Sequence, residues 1–220
     1  FSRNCTISSI KDKELLKRIF DFFASALGLI ILSPILLICA LIGFLWEGIP
    51  IIFSHGRLGK NGAPFTLIKF RTMSNGPSLS ANHDITRLTT WGRFLRRTSI
   101  DEIPVLLNVI IGDMSLVGPR PMPTKYLSRF STSQIKRLNV KPGITGLAQV
   151  TGRNNLSWEE RFDLDVQYVS NHSFIQDLII IFKTIFIVLS RKNVDAQDQE
   201  IMPEFMGLSL DENEGEISRL

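Results

Sequence analysis

Two adjacent carboxylates, Asp101 and Glu102, stand among basic residues in this 220-residue chain. Arg93, Arg96 and Arg97 precede them, and Arg120 follows within Gly118-Pro119-Arg120-Pro121. Ser99-Ile100-Asp101-Glu102 fits a capping box, and Pro104 suits a first helical turn. A helix is therefore predicted from there to about Gly112. An acid at a helix N-terminus is held as carboxylate by the dipole and the free amides, and the same end attracts phosphate. A carboxylate amid arginines can ligate Mg²⁺ or attack an electrophile. On these residues alone, a plain helix cap is the favoured role, since acids in first helical turns are usually caps.

Arg120 sits between two prolines, which fix the backbone and hold the guanidinium on a stiff turn. Arginine suits bidentate phosphate recognition. A solvated surface turn is the open alternative. Lys69 and Arg71 alternate along a predicted strand and would project to one face. Pro142-Gly143-Ile144-Thr145-Gly146 could offer amides to an anion or a sugar, or be an ordinary turn. Other chemistries lack their signatures. There is no Walker A sequence, no GxGxxG and no CxxC, and His55, His83 and His172 lack metal-ligand spacing. Asp163-Leu164-Asp165 mimics a metal-binding DxD triplet, but it falls inside a predicted helix over 157–169.

The elements that must position these groups begin with an apolar run, Ile19 to Trp46, whose one charge is Asp21. A straight helix of that length would reach roughly 42 Å, more than a bilayer core of about 30 Å. Ser33-Pro34 lies at its centre. Proline removes a donor and breaks or kinks a helix, and Ser33 can satisfy a freed carbonyl. Both flanks are basic: Lys11, Lys13, Lys17 and Arg18 before, Arg57, Lys60, Lys69 and Arg71 after. Positive residues favour the cytoplasmic side, so a re-entrant hairpin competes evenly with a spanning helix. Strands are predicted on either side of Gly59-Lys60-Asn61-Gly62, a hairpin signal. TRLTTWGRFLRR reads as a basic amphipathic helix at a bilayer surface. Residues 124–139 read as a helix, and SLVGPRPMP as an extended turn. In Phe174 to Leu189, Asp177 and Thr184, followed by Arg191, recur every seven residues as a polar stripe. Such a helix lies at an interface or closes the core, the core being slightly favoured.

Composition sets the partner class. The formal charge is +4, but residues 193–220 hold eight acids and one base, net −7. Residues 1–192 hold the remaining 24 bases and 13 acids, net +11. A basic body expects an anionic partner: nucleic acid, anionic lipid or a phosphorylated substrate. Nucleic-acid binding leaves the apolar run unexplained. A lipid-binding scaffold leaves the Asp-Glu pair unexplained. Two cysteines give no disulfide framework and fit a reducing compartment. The apolar run is too long for a cleavable signal peptide. The acidic tail is expected to be mobile.

Taken in order, KRIFDFFASALGLIILSPILL, IKFRTM, RLTTWGRFLRRTSIDEIPVLLNVIIGDMSLVGPRP, VKPGITGLAQVTGRN and WEERFDLDVQYV resemble the monotopic phosphoglycosyl transferases, the bacterial sugar transferases. The resemblance covers Lys17 to Leu189 and is closest to small members that consist of the catalytic domain alone. It implies an α+β, mainly helical, monotopic membrane protein. That protein would have a re-entrant helix broken at Ser33-Pro34, a small β-hairpin and interfacial amphipathic helices. Its parts would be a membrane segment over 1–48, a cytoplasmic catalytic domain over 49–192 and the tail over 193–220. It implies transfer of a sugar-1-phosphate from a UDP-sugar, with an N-acetylated amino sugar favoured over glucose or galactose. Undecaprenyl phosphate would accept it and UMP would leave. Asp101 would be the nucleophile and bind Mg²⁺, with Glu102 beside it. Lys69, Arg71, Arg96, Arg120, Gln149 and Arg153 would contact substrate. Anionic lipid and downstream glycosyltransferases would be partners and nucleic acid would not. The protein would sit on the cytoplasmic face of a bacterial inner membrane, with both termini inside.

Overall fold

The computed structural model describes residues 2–74, 76, 87–152, 156–190 and 204–207. The first element, α1 (Ser2–Glu47), is one helix with Pro34 inside it. The expected break at Ser33-Pro34 is therefore not a break. Pro34 has no N–H for the Ile30 carbonyl, and Ser33 Oγ donates to that carbonyl at 2.8 Å. The freed acceptor is satisfied locally and the helix continues.

Its two faces differ in an unusual sense. Asp21, Ser25 and Cys39 are buried, whereas Phe23, Ile30, Leu37, Leu45 and Trp46 are 66–78% exposed. The polar side is the one that packs. Asp21 accepts from Ser115 Oγ at 2.7 Å and from the Leu116 amide. Lys17 reaches Asp177 at 2.5 Å, and Arg18 donates to the Val109 and Ile110 carbonyls. Further along, Cys39 packs with Phe70 and Leu95. At the far end Arg71 donates to the Glu47 and Gly48 carbonyls at 2.6 and 2.9 Å. Both ends of the apolar stretch of α1, at Lys17–Asp21 and at Glu47, are thus bonded to one body.

Strands β1 (Ile52–Leu58) and β2 (Pro64–Phe70) form the predicted antiparallel hairpin. Asn61 and Gly62 make the turn with φ of +57° and +77°, a region that favours these two residue types. Helix α2 (Thr90–Thr98) follows, capped by Thr89, which accepts from the Gly92 amide. A 3₁₀ turn over Ile100–Val105 leads into α3 (Leu106–Ile111). Then comes β3 (Ser115–Val117), which pairs in parallel with β4 (Gly143–Thr145). This second pair is absent from the expected turns, because each strand is too short to show alternation. It also occupies the glycine loop: the Gly143 amide donates to Pro119 O and the Gly118 amide to Thr145 O, both at 2.9 Å. A Cβ on Gly143 would come 2.1 Å from the Gly118 nitrogen. These glycines serve a backbone crossing, not an anion.

The expected helix over 124–139 is two 3₁₀ helices, Thr124–Arg129 and Gln134–Asn139. Phe130 is extended between them, and Ser131 and Gln134 exchange side-chain bonds with each other's amides. Such local bonding competes with a continuous helix. Next are α4 (Leu147–Thr151), α5 (Trp158–Asn171) and α6 (Phe174–Ser190). A capping box does form, but at Ser157 and Glu160.

Helix α6 repeats the pattern of α1. Asp177 is buried and accepts from Tyr168 Oη at 2.6 Å; Thr184 bonds Thr145 at 2.7 Å. Ile175, Phe182, Phe186 and Leu189 are 68–77% exposed. The polar stripe points inward together with Ile180, which packs on Val117 and Tyr168, so one face of α6 closes the core as favoured from sequence while the rest of its apolar side faces outward. A soluble monomer rarely exposes a contiguous apolar patch beyond a few hundred Å². The expected mobile tail lies mostly outside the described residues, but Glu204–Gly207 is seated on the body, with Phe205 only 6% exposed.

Candidate active site

The site is assembled where the hairpin meets the 3₁₀ turn. On β2, Phe65, Leu67 and Lys69 share a face by strand alternation. The first two pack against Val105, Val109 and Met114. Lys69 continues that face past the packed residues toward Asp101. Asn108, 1% exposed, fixes the approach: it accepts from the Ile68 amide at 3.1 Å and donates to Thr66 O at 2.7 Å. One side chain thereby replaces a neighbouring strand along this edge of β2.

Asp101 is 5% exposed. The expected capping box around it does not form. Ser99 takes a left-handed conformation (φ +56°) that ends α2, and its side chain caps nothing. Glu102 is instead drawn to Arg120, Oε1 to Nη2 at 2.9 Å, with both side chains partly exposed. No hydrogen bond or ion pair reaches the Asp101 carboxylate among the described residues. Lys69, Arg96 and Arg120 all act on it electrostatically.

The two neighbouring acids are pushed apart. Burial raises the Asp101 pKa first and the Glu102 charge adds to it, against the three cations. The Arg120 guanidinium holds Glu102 below the usual carboxylate range, and Glu102 in turn raises Arg120. Burial lowers Lys69. It also lowers Arg57, on β1, to about 10, with Arg120 adding to the effect. His55, two residues before Arg57 on the same face, falls to about 4 through burial and the charges of Arg57 and Lys69. It is neutral at pH 7. A carboxylate pair with divergent pKa values marks different roles for its members.

The turn bearing Arg120 is clamped from behind. Arg57 Nη1 donates to Pro121 O at 3.2 Å. Arg137 Nη2 donates to the Arg120 carbonyl at 2.9 Å and to Asp165 Oδ2 at 2.5 Å. The Arg137 and Asp165 side chains are 2% and 4% exposed. Arg137 also lies over the rings of Phe130 and Phe162, at 5.5 and 5.0 Å. The DxD triplet is thereby resolved. Asp163 is exposed, and Asp165 is an internal counter-ion.

Of the candidates from sequence, the structure brings Lys69, Arg96 and Arg120 to Asp101 and Glu102. Arg96 is steadied by a 3.1 Å bond to Thr72 Oγ1. Arg71 is not brought there, because β2 ends at Phe70 and its guanidinium turns to the end of α1. Gln149 lies near the Gly118 backbone, with both amide atoms buried and no partner among the described residues. Arg153 lies outside the described residues. Arg57, His55, Arg137 and Asp165 were missed as site residues. The strand alternation that linked Lys69 to its face could have found His55 and Arg57. Arg137 carries no sequence signal, since its partners are distant in the chain.

Residues 12–191 match the family model described as bacterial sugar transferase. The chain belongs to that family. Among relatives of this sugar transferase, an uncharacterized sugar transferase of Bacillus subtilis, EpsL, is 45% identical over 195 residues, 88% of this chain and 96% of its own. The undecaprenyl-phosphate galactose phosphotransferase of Salmonella typhimurium is 39% identical over 82% of this chain; the match spans only 42% of that longer protein. The UDP-glucose:undecaprenyl-phosphate glucose-1-phosphate transferase of Caulobacter vibrioides is 39% identical over 82% of this chain and 72% of its own.

Proposed function

We propose that the chain transfers a sugar-1-phosphate from a UDP-sugar to undecaprenyl phosphate and releases UMP. The observation that carries this is the buried, unbonded Asp101 carboxylate facing Lys69, Arg96 and Arg120. Cations of this kind hold the diphosphate against Asp101. An Asp101 oxygen attacks the β-phosphorus, the bridging P–O bond breaks, and UMP leaves with its electron pair. The phosphosugar is then an acyl phosphate on Asp101. An oxygen of the polyprenyl phosphate attacks the same phosphorus, and the Asp101 carboxylate is regenerated as the diphosphate lipid forms. No water or proton is consumed. The Glu102–Arg120 pair orients the guanidinium toward the phosphate.

No group of three or more metal-ligating side chains exists among the described residues. Mg²⁺ does not need such a group, since it is commonly bound by one or two carboxylates plus substrate phosphates. Asp101, free of protein hydrogen bonds, would hold it with the donor diphosphate. The metal would supply neutralisation of phosphate charge.

The acceptor is a lipid, and the outward apolar faces of α1 and α6 supply its medium. The chain rests in one leaflet with those faces down, because both ends of the apolar stretch of α1 are bonded to the same body. Single cysteines at Glu14 and Asn61, in a Cys5→Ser/Cys39→Ser background, are expected to react with an impermeant thiol reagent only from the cytoplasmic side. Reaction of Glu14→Cys from outside would show a spanning helix.

The functional test is UMP release in Mg²⁺ and undecaprenyl phosphate. The resemblance to small members of the family leans toward an N-acetylated amino sugar, while two relatives are named for galactose and glucose. UDP-N-acetylglucosamine, UDP-galactose and UDP-glucose are therefore all offered. Release from one of them supports the transferase; release from none overturns it. Arg120→Ala is expected to cut turnover at least tenfold, on the order of one lost charge-assisted hydrogen bond. Membrane sedimentation should stay unchanged. Unaltered kinetics would remove Arg120 from the site.

A further inference from the structure

The acidic tail has one stretch with built partners. Phe205 is 6% exposed and Met206, its neighbour, is 73% exposed. The Phe205 ring sits among four others: Tyr126 at 5.6 Å, Phe130 at 6.0 Å, Trp158 at 5.8 Å and Phe162 at 4.9 Å. Its amide donates to Tyr126 Oη at 3.2 Å, and its carbonyl accepts from Arg129 Nη1 at 2.5 Å. The Glu204 carboxylate lies 2.6 Å from Lys125 Nζ and 2.8 Å from Arg129 Nη1. Gly207 has φ of +91°, and a Cβ there would meet Arg129 O at 3.2 Å. Each position has its own requirement: an acid, an aromatic ring, any residue, then glycine. This is how a groove recognises a peptide, with an aromatic anchor in a pocket and a charged rim.

The pocket is shared with the catalytic wall. Met122 and Tyr126, just past Arg120, belong to the same cluster as Phe205 and Phe162. Phe130 and Phe162 are also the rings on which Arg137 rests, and Arg137 holds the Arg120 carbonyl. Phe205 thus packs on Tyr126, six residues past Arg120, and on Phe130 and Phe162, the two rings that lie under Arg137.

We infer that this groove is a binding site for an acidic aromatic peptide, filled by this chain's own Glu204–Gly207, and that Phe205 is a positioning residue for Arg120. The tail is then a strap: seated, it completes the wall behind the phosphate-binding arginine. The charge pattern agrees, since the acidic segment docks on Lys125 and Arg129 of the basic body. The kinetic part of this inference rests on the proposed transferase activity; the docking part does not.

The test uses the full chain carrying Phe205→Ala. A fluorescent peptide of residues 202–209 (MPEFMGLS) is expected to bind this variant saturably, and a peptide with Ala in place of Phe to bind at least tenfold more weakly. The variant should lose about tenfold to a hundredfold in kcat/KM for the UDP-sugar, the range in which a slight misplacement of a catalytic group falls. Added peptide should restore it, and Phe205→Leu should retain most of it. Glu204→Arg, which leaves the aromatic pocket filled, is expected to weaken the strap and shift kcat/KM in the same direction. Equal binding of the two peptides would overturn the groove. Unchanged kcat/KM in both variants, or loss that peptide does not restore, would overturn the positioning role. Peptide binding is read without substrate. If the wild-type chain releases no UMP from any donor, the transferase proposal fails while the groove is still decided.

Discussion

Asp101→Asn is expected to abolish UMP release while leaving the fold intact or firmer. The amide keeps the shape of the carboxylate and loses its nucleophilicity. The loss should be at least a thousandfold, on the order felt when a covalent nucleophile is removed. Stability should move the other way. Burial raises the Asp101 pKa, so the folded chain holds that proton more tightly than the unfolded chain does. Stability from this group is therefore present at low pH and is lost as pH rises through the raised pKa. At pH 7.5 the charged form is a cost that asparagine removes. The acid limb of wild-type kcat/KM should correspondingly lie above the ordinary aspartate value near 4. Rapid-quench assays with labelled sugar phosphate, and thermal melts in detergent, check both halves. Protein-bound label in the Asn variant would transfer the nucleophile role elsewhere. A melt lowered by several degrees would make Asp101 a structural residue.

Arg137→Met is expected to be the most damaging change away from the carboxylates. It strips the buried Asp165 carboxyl of its hydrogen-bonded counter-ion. Breaking a buried pair from one side costs roughly 3–5 kcal/mol, whereas replacing both partners by apolar residues is often neutral. Arg137→Met/Asp165→Leu should therefore recover most of the stability. Activity should not recover, because the Arg120 carbonyl still lacks the 2.9 Å bond from Arg137. Urea midpoints and UMP release on the single and double variants separate the two effects. Full activity in the stable double variant would show that the pair serves the fold alone.

Local chemistry was legible wherever a few adjacent residues decide it. The hairpin turn needs Asn61 and Gly62 to adopt positive φ, and the run of residue types says so. The same holds for α2, α5 and the Asp-Glu pair among arginines. Ser33 could be named as the acceptor's remedy, because its hydroxyl and the Ile30 carbonyl lie on one turn. The break itself failed as an expectation because that remedy succeeds. The capping box failed at Ser99 because Arg120, eighteen residues beyond Glu102, competes for the carboxylate more strongly than a backbone amide does. No local pattern contains that competitor.

The sequence by itself determined the chemical parts: two adjacent acids, a clamped arginine, a strand lysine and an apolar run too long for a small core. Only the tertiary structure decided which way the amphipathic faces turn. Periodicity shows that Asp177 and Thr184 share a stripe, not whether the stripe meets water or protein. Here Tyr168, Lys17 and Thr145 satisfy it, so the apolar face goes outward. Tertiary structure likewise decided that Arg71 belongs to α1, that Asp165 neutralises Arg137, and that part of an acidic tail is a strap. Each of these is settled by a partner far away in the chain. A buried charge or ring is stable only where that partner exists, and sequence spacing carries no record of it.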